Sequence, residues 1–174
     1  MNIQQKLMSG FLGLSLLTGV VGAIAISQEH QSAIKLATIE AEEVARTIAT
    51  YTTEEVGNVD EITPELAAEL QEYTMALHEF MQRDIGIIGK DGRIKTDIRP
   101  EHIGKVFNDD EDSEIAKTIE DGKVRLFREI SADYPNGIRQ ISVPVTNKQG
   151  EIIAALIFEY TPLYMATLQN SRLI

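Results

Sequence analysis

The chain contains no cysteine and no tryptophan, and only 6% of its 174 residues are aromatic. Without cysteine there is no disulfide, no thiolate zinc site and no thiol nucleophile, and any redox compartment suits the chain. Basic residues are also scarce, 16 against 27 acidic ones, for a net charge of −11. A domain this acidic repels phosphate backbones, which excludes nucleic acid as a partner. Catalytic spacings are missing as well. His30, His78 and His102 stand alone, with no H-x-x-x-H, G-x-S-x-G or glycine-lysine phosphate loop. Gly86, Gly89 and Gly92 match no dinucleotide fingerprint and read as strand and turn. No enzymatic activity and no cofactor are expected, and no internal repeat or low-complexity tract is present.

What is present begins with LMSGFLGLSLLTGVVGAIAI, Leu7–Ile26, a run of 20 residues without a charge. At about 1.5 Å per residue it spans a hydrocarbon core of roughly 30 Å. Ala23-Ile24-Ala25 offers a signal-peptidase-like site, but the run is longer than an ordinary signal h-region and helix-forming sequence continues through it. A retained transmembrane helix over 7–26 is therefore expected. Residues 1–6, with Lys6 and the α-amine, are placed in the cytoplasm, and the rest of the chain outside it, in the periplasm. Ser15, Gly19, Ala23 and Ser27 recur every four residues, a spacing that lets two membrane helices approach closely as a homodimer.

Residues 27–57 read as one long signalling or packing helix. Ile34, Ala37, Ala41, Val44, Ile48 and Tyr51 form an apolar seam that suits either its own domain or a dimer partner. Gly57-Asn58 stops it. Thr63-Pro64-Glu65 is a helix start, with a hydroxyl cap, proline in the first turn and an acid at the positive dipole end. That helix should reach about Arg83. The period then changes from 3.6 to 2. Strands are predicted at Ile85–Gly89, Arg93–Asp97, Lys123–Ser131, Gly137–Thr146 and Glu151–Tyr160, with turns Lys90-Asp91-Gly92, ADYPNG and NKQG. A short helix capped by Asp112 or Ser113 precedes the third strand, and Pro162 opens a final helix. The order predicts an α+β domain, a five-stranded antiparallel sheet with helices on it.

IGIIGKDGRIKTD, Ile85–Asp97, and FREISADYPNGIRQISVPVTNKQGEIIAALIFEY, Phe127–Tyr160, carry a resemblance to the extracytoplasmic Cache (PAS-like) sensor domains of bacterial chemoreceptors and sensor kinases. A strand there runs into a DG turn and a second strand, and a Pro-bearing strand is followed by x-x-G-x-I-x-G-x-L. Here that last motif is Gln149–Leu156, with Ala154 where glycine is common. The resemblance covers roughly Ala33–Leu168. It implies a PAS/Cache-like sensor domain over 58–168 that binds a small molecule and passes a shift of its terminal helices through the membrane. Residues 169–174 would lead towards a second span that SRLI does not reach, so the chain is expected to be either a truncated receptor or an anchored stand-alone sensor.

The acidic run Asp109-Asp110-Glu111-Asp112 lacks the glycine and alternation of an EF-hand loop. It reads as a solvated loop favouring the next helix's N-terminus, with Asp109, Asp110 and Asp112 left as weak divalent-cation candidates. Alternation puts Arg125, Phe127 and Glu129 on one strand face, and Arg139, Ile141, Val143 and Val145 on one face of the next. IIAALIF is apolar enough to be covered on both sides. A charge on such a sheet needs a partner or a ligand, and arginine's planar fork suits a carboxylate. The resemblance places the pocket between the sheet and the loops after the second and third strands. Arg99, His102, Arg125, Tyr134 and Arg139 are then the candidates for an anionic or zwitterionic ligand, the alternative being Arg–Glu cross-strand pairs on a wet face. An anchored interaction module without a small ligand is the competing functional expectation.

Overall fold

Alternating and continuously apolar runs become the five strands in a computed structural model of the chain, which describes Ser32 and residues 35–160. Helix α1 covers 35–56 and α2 Pro64–Met81. Strands β1 (Ile85–Gly89) and β2 (Ile94–Thr96) form the first hairpin, followed by a single 3-10 turn, Pro100–His102. Helix α3 (Glu114–Asp121) then precedes β3 (Arg125–Glu129), β4 (Ile138–Thr146) and β5 (Ile152–Glu159). The sheet order is β2-β1-β5-β4-β3, antiparallel throughout. The predicted span Leu7–Ile26 and the final helix after Pro162 lie outside the described residues. Among the described residues no helix is long and apolar enough to cross a membrane.

Strand β5 is central, and the pleat sends its side chains alternately to two layers. Ala154, Leu156 and Phe158 pack with Ile87, Ile141 and Val143 against Ala45, Ile48 and Leu70 of the long helices. Ala155 and Ile157 face the other way, with Ile88, Ile94, Phe127 and Ile115 of α3. Both faces are thus covered, as the apolar run predicts, and the sheet face carrying Ile157 is the one that bears the candidate site.

Local signals account for most element ends. Thr63 Oγ1 accepts from the Leu66 amide at 3.3 Å, so the hydroxyl caps α2 as its sequence requires. That helix ends at Met81 rather than Arg83, because Gln82 turns left-handed (φ 54°) and donates its amide to the His78 carbonyl at 2.8 Å. On α1 the buried stripe is Ala41, Ala45, Ile48, Thr52 and Val56, whereas Tyr51 is 62% exposed. The seam therefore packs on its own domain through Ala41 and Ile48, rotated away from Tyr51. The cap of α3 is also corrected. Ser113 holds the N-cap position at φ 56° with no side-chain bond, and Asp110 Oδ2 instead accepts from the Ile115 amide at 2.9 Å.

Candidate functional site

Asp97, Arg99 and His102 are swung across the sheet face by the segment that leaves β2. Proline at position 100 disfavours helix at Arg99, which stays extended (φ −109°, ψ 100°). Asp97 Oδ1 accepts from the Arg99 amide at 2.8 Å. The Gln71 side chain of α2 clamps the Asp97 backbone, donating to its carbonyl at 2.7 Å and accepting from its amide at 3.0 Å. A Thr74–Thr96 hydroxyl bond of 2.9 Å ties the same helix to β2. From the opposite side comes the β3–β4 connection with Ser131, Asp133 and Tyr134. Between the two lies an open cavity of about 450 Å³ including its mouth, with room for a few waters or one small head group. Gly86 forms part of its floor, where a Cβ would stand 3.1 Å from the Thr96 carbonyl and 3.3 Å from the Ile157 side chain.

The walls carry five carboxylates, Asp84, Asp97, Asp109, Glu129 and Asp133, against Arg99 and His102. Both bases are engaged. Arg99 stands 3.6 Å from Asp133, donates to the Tyr134 hydroxyl at 2.8 Å and stacks 4.7 Å from that ring's centre. His102 lies between Asp97 and Asp133, 3.5 Å from each. Deeper in, the Gln140 amide donates to Glu129 Oε2, and the Ser131 hydroxyl donates to Glu129 Oε1 at 3.1 Å. Gln140 is 3% exposed, and its Oε1 has no partner among the described residues.

Burial dominates the titration of these acids. It pushes the Glu129 carboxyl up to about 7, against the Ser131 hydrogen bond and with added repulsion from Asp109, Asp97 and Asp84. It pushes Asp84 up to about 6, helped by Glu159 and opposed by Arg99 and His78. Asp97 is raised by burial too, despite the Arg99 amide and His102. The cavity is thus rich in acceptors and short of positive charge.

Three of the predicted site residues, Arg99, His102 and Tyr134, meet here, and two do not. Arg125 is held by Asp121 through two bonds of 2.7 and 2.8 Å and donates to the Lys123 carbonyl at 3.0 Å, outside the cavity. Arg139 is exposed near the start of β4, directly opposite Arg128. The expected Arg–Glu cross-strand pair is therefore an Arg–Arg pair on solvent. Of the acidic run, Asp109 lines the cavity, Asp110 caps α3, and the Asp112 amide donates to Glu114 at 3.3 Å. Among the described residues no three potential ligands are grouped to hold a metal. The sequence reading did not name Asp84, Asp97, Glu129, Ser131, Asp133 or Gln140 as site residues. Alternation sets Gln140 on the face opposite Arg139, and the β3–β4 register then puts it beside Phe127, whereas Asp84 and Asp97 gave no signal beyond flanking strands.

No family model and no curated protein matches the sequence. Solved structures do. The sensor domain of DcuS from E. coli matches with a TM-score of 0.55 at 16% identity, over 80% of this chain and 98% of that one. The chain has the Cache sensor-domain fold. The extracellular domain of rpHK1S-Z16, described as a histidine kinase, matches with a TM-score of 0.53 at 13% identity, over 85% of this chain and 64% of that one. The Cache likeness at such identities is one of fold, and the lining of the cavity is this chain's own.

Proposed function

We propose that the chain is a membrane-anchored sensor whose Cache domain, over 58–168, binds a small molecule outside the cytoplasm and transmits a helix shift across the membrane. The observation that carries this reading is a solvent-open cavity on a Cache fold, walled by side chains that two loops and a sheet face bring together. Its floor sits on strands, which hold Glu129 and Gln140 in place before a ligand arrives. The uncharged run Leu7–Ile26 supports the anchor, and the small-residue stripe Ser15, Gly19, Ala23, Ser27 supports pairing of two copies there. The zwitterionic half of the expected ligand range fits best, because Arg99 and His102 are already shared with Asp97 and Asp133. A thermal-shift screen of the full chain in detergent micelles, using amino acids, amines and organic acids, tests the reading. A ligand should raise the melting temperature, and Arg99→Ala should remove the rise. No shift with any compound removes the ligand-binding claim.

A further inference from the structure

Resting on that reading, we infer that the ligand of this cavity bears a primary ammonium group, held by Asp97, Glu129 and the Gln140 amide oxygen. Two independent observations converge on it. One is charge: five carboxylates line a space in which the single guanidinium and imidazole are already paired with two of them. The other is a missing donor. Gln140 is 3% exposed, lines the cavity and leaves Oε1 without a partner among the described residues. A buried acceptor left unsatisfied costs free energy that a ligand N–H recovers.

An ammonium supplies what the cavity lacks, three donors and a positive charge in one small head group. The cavity has room for such a head group and is open at its mouth, where the rest of the molecule can extend. A bare metal ion fits less well, since the described acids form no coordinating group of three. A dicarboxylate would add charge to walls whose acids already hold protons because burial disfavours their charge, with mutual repulsion adding to it. Glu129 faces Asp109, Asp97 and Asp84, and Asp84 faces Glu159 and Asp97 with Arg99 and His78 opposing. Seating a cation there displaces those protons, so binding tightens as pH rises through their titration.

The test uses the full chain in detergent micelles at pH 7.5 and three matched three-carbon probes, n-propylamine, L-alanine and propionate, with magnesium chloride as a fourth. Thermal shift and calorimetry should show binding of propylamine and alanine and none of propionate or magnesium. Ammonium binding should tighten roughly tenfold from pH 5.5 to 7.5, a range in which the amines stay protonated. Asp97→Asn, with folding checked by circular dichroism, should weaken it at least tenfold. Propionate or magnesium binding as tightly as the amines overturns the ammonium assignment while leaving the sensor reading intact. An affinity independent of pH overturns the role of the carboxylates. No shift with either ammonium compound also overturns the inference, and the sensor reading then stands or falls on the wider screen.

Discussion

Replacing Glu129 by glutamine should stabilise the domain, and only above its titration. Glu129 is 7% exposed and holds its proton up to about 7, against an ordinary value of 4.5. A carboxyl raised on folding contributes stability that is fully present below the unfolded value and is lost as pH rises through the folded one. At about 1.4 kcal/mol per unit, the loss approaches about 3 kcal/mol at pH 8, and allowing for solvent relaxation we take about 2 kcal/mol. At pH 5 it is under about 1 kcal/mol, since the folded carboxyl is still protonated. Glutamine keeps an acceptor for the Ser131 hydroxyl and carries no charge to bury, and its new N–H group can meet Gln140 by an amide flip. Thermal unfolding of the full chain followed by circular dichroism should therefore give a melting temperature roughly 5–8 °C above wild type at pH 8, and within about 2 °C at pH 5. Equal gains at both pH values, or a loss at pH 8, would refute the reasoning that burial of this charge opposes folding.

Other outcomes follow from single contacts. Leu156→Ala empties the centre of the sheet at a side chain 1% exposed, and should cost about 2–5 kcal/mol in chemical denaturation. Gly86→Ala forces a methyl to 3.1 Å from the Thr96 carbonyl, and should cost about 1–3 kcal/mol and blunt any ligand-induced thermal shift. Asp110→Ala removes the acceptor for the Ile115 amide and should cost about 1 kcal/mol, with the loss confined to α3 in hydrogen exchange. Arg125→Ala breaks contacts with Asp121 and the Lys123 carbonyl, both outside the cavity, and should leave the ligand response unchanged, unlike Arg99→Ala.

The architecture was legible because each strand carries its own signal. β5 is apolar on both faces, β1 and β2 flank a DG turn, and Thr63-Pro64 announces α2. The strand order, with β1 pairing β5, and the register shifts in β1–β2 and β4–β5 come from tertiary packing that no local pattern reports. Of the candidate site, Arg99, His102 and Tyr134 were named because the resemblance puts the pocket at the loops after the second and third strands, and those loops do line the cavity. Arg125 misled because strand alternation gives a face and not a partner. Asp121 lies four residues earlier, across the Gly122 stop, and captures the guanidinium locally. Arg139 shares the parity of Ile141 but lies near the strand's start, where it is exposed. Sequence period reports which side a residue faces, while the extent of the covering layer depends on tertiary packing. The acidity of the cavity was hidden for a related reason, since Asp84, Asp97 and Glu129 come from three separate segments and no local pattern joins them.

The most direct measurement is nuclear magnetic resonance of the full chain in micelles, following the Gln140 side-chain amide and the backbone amides of Asp97, Arg99 and Tyr134 as L-alanine is added. Saturable shifts confined to these groups and their neighbours are predicted, and Asp97→Asn should abolish them. Saturable binding that leaves these four signals in place, with shifts elsewhere on the domain, would contradict the account.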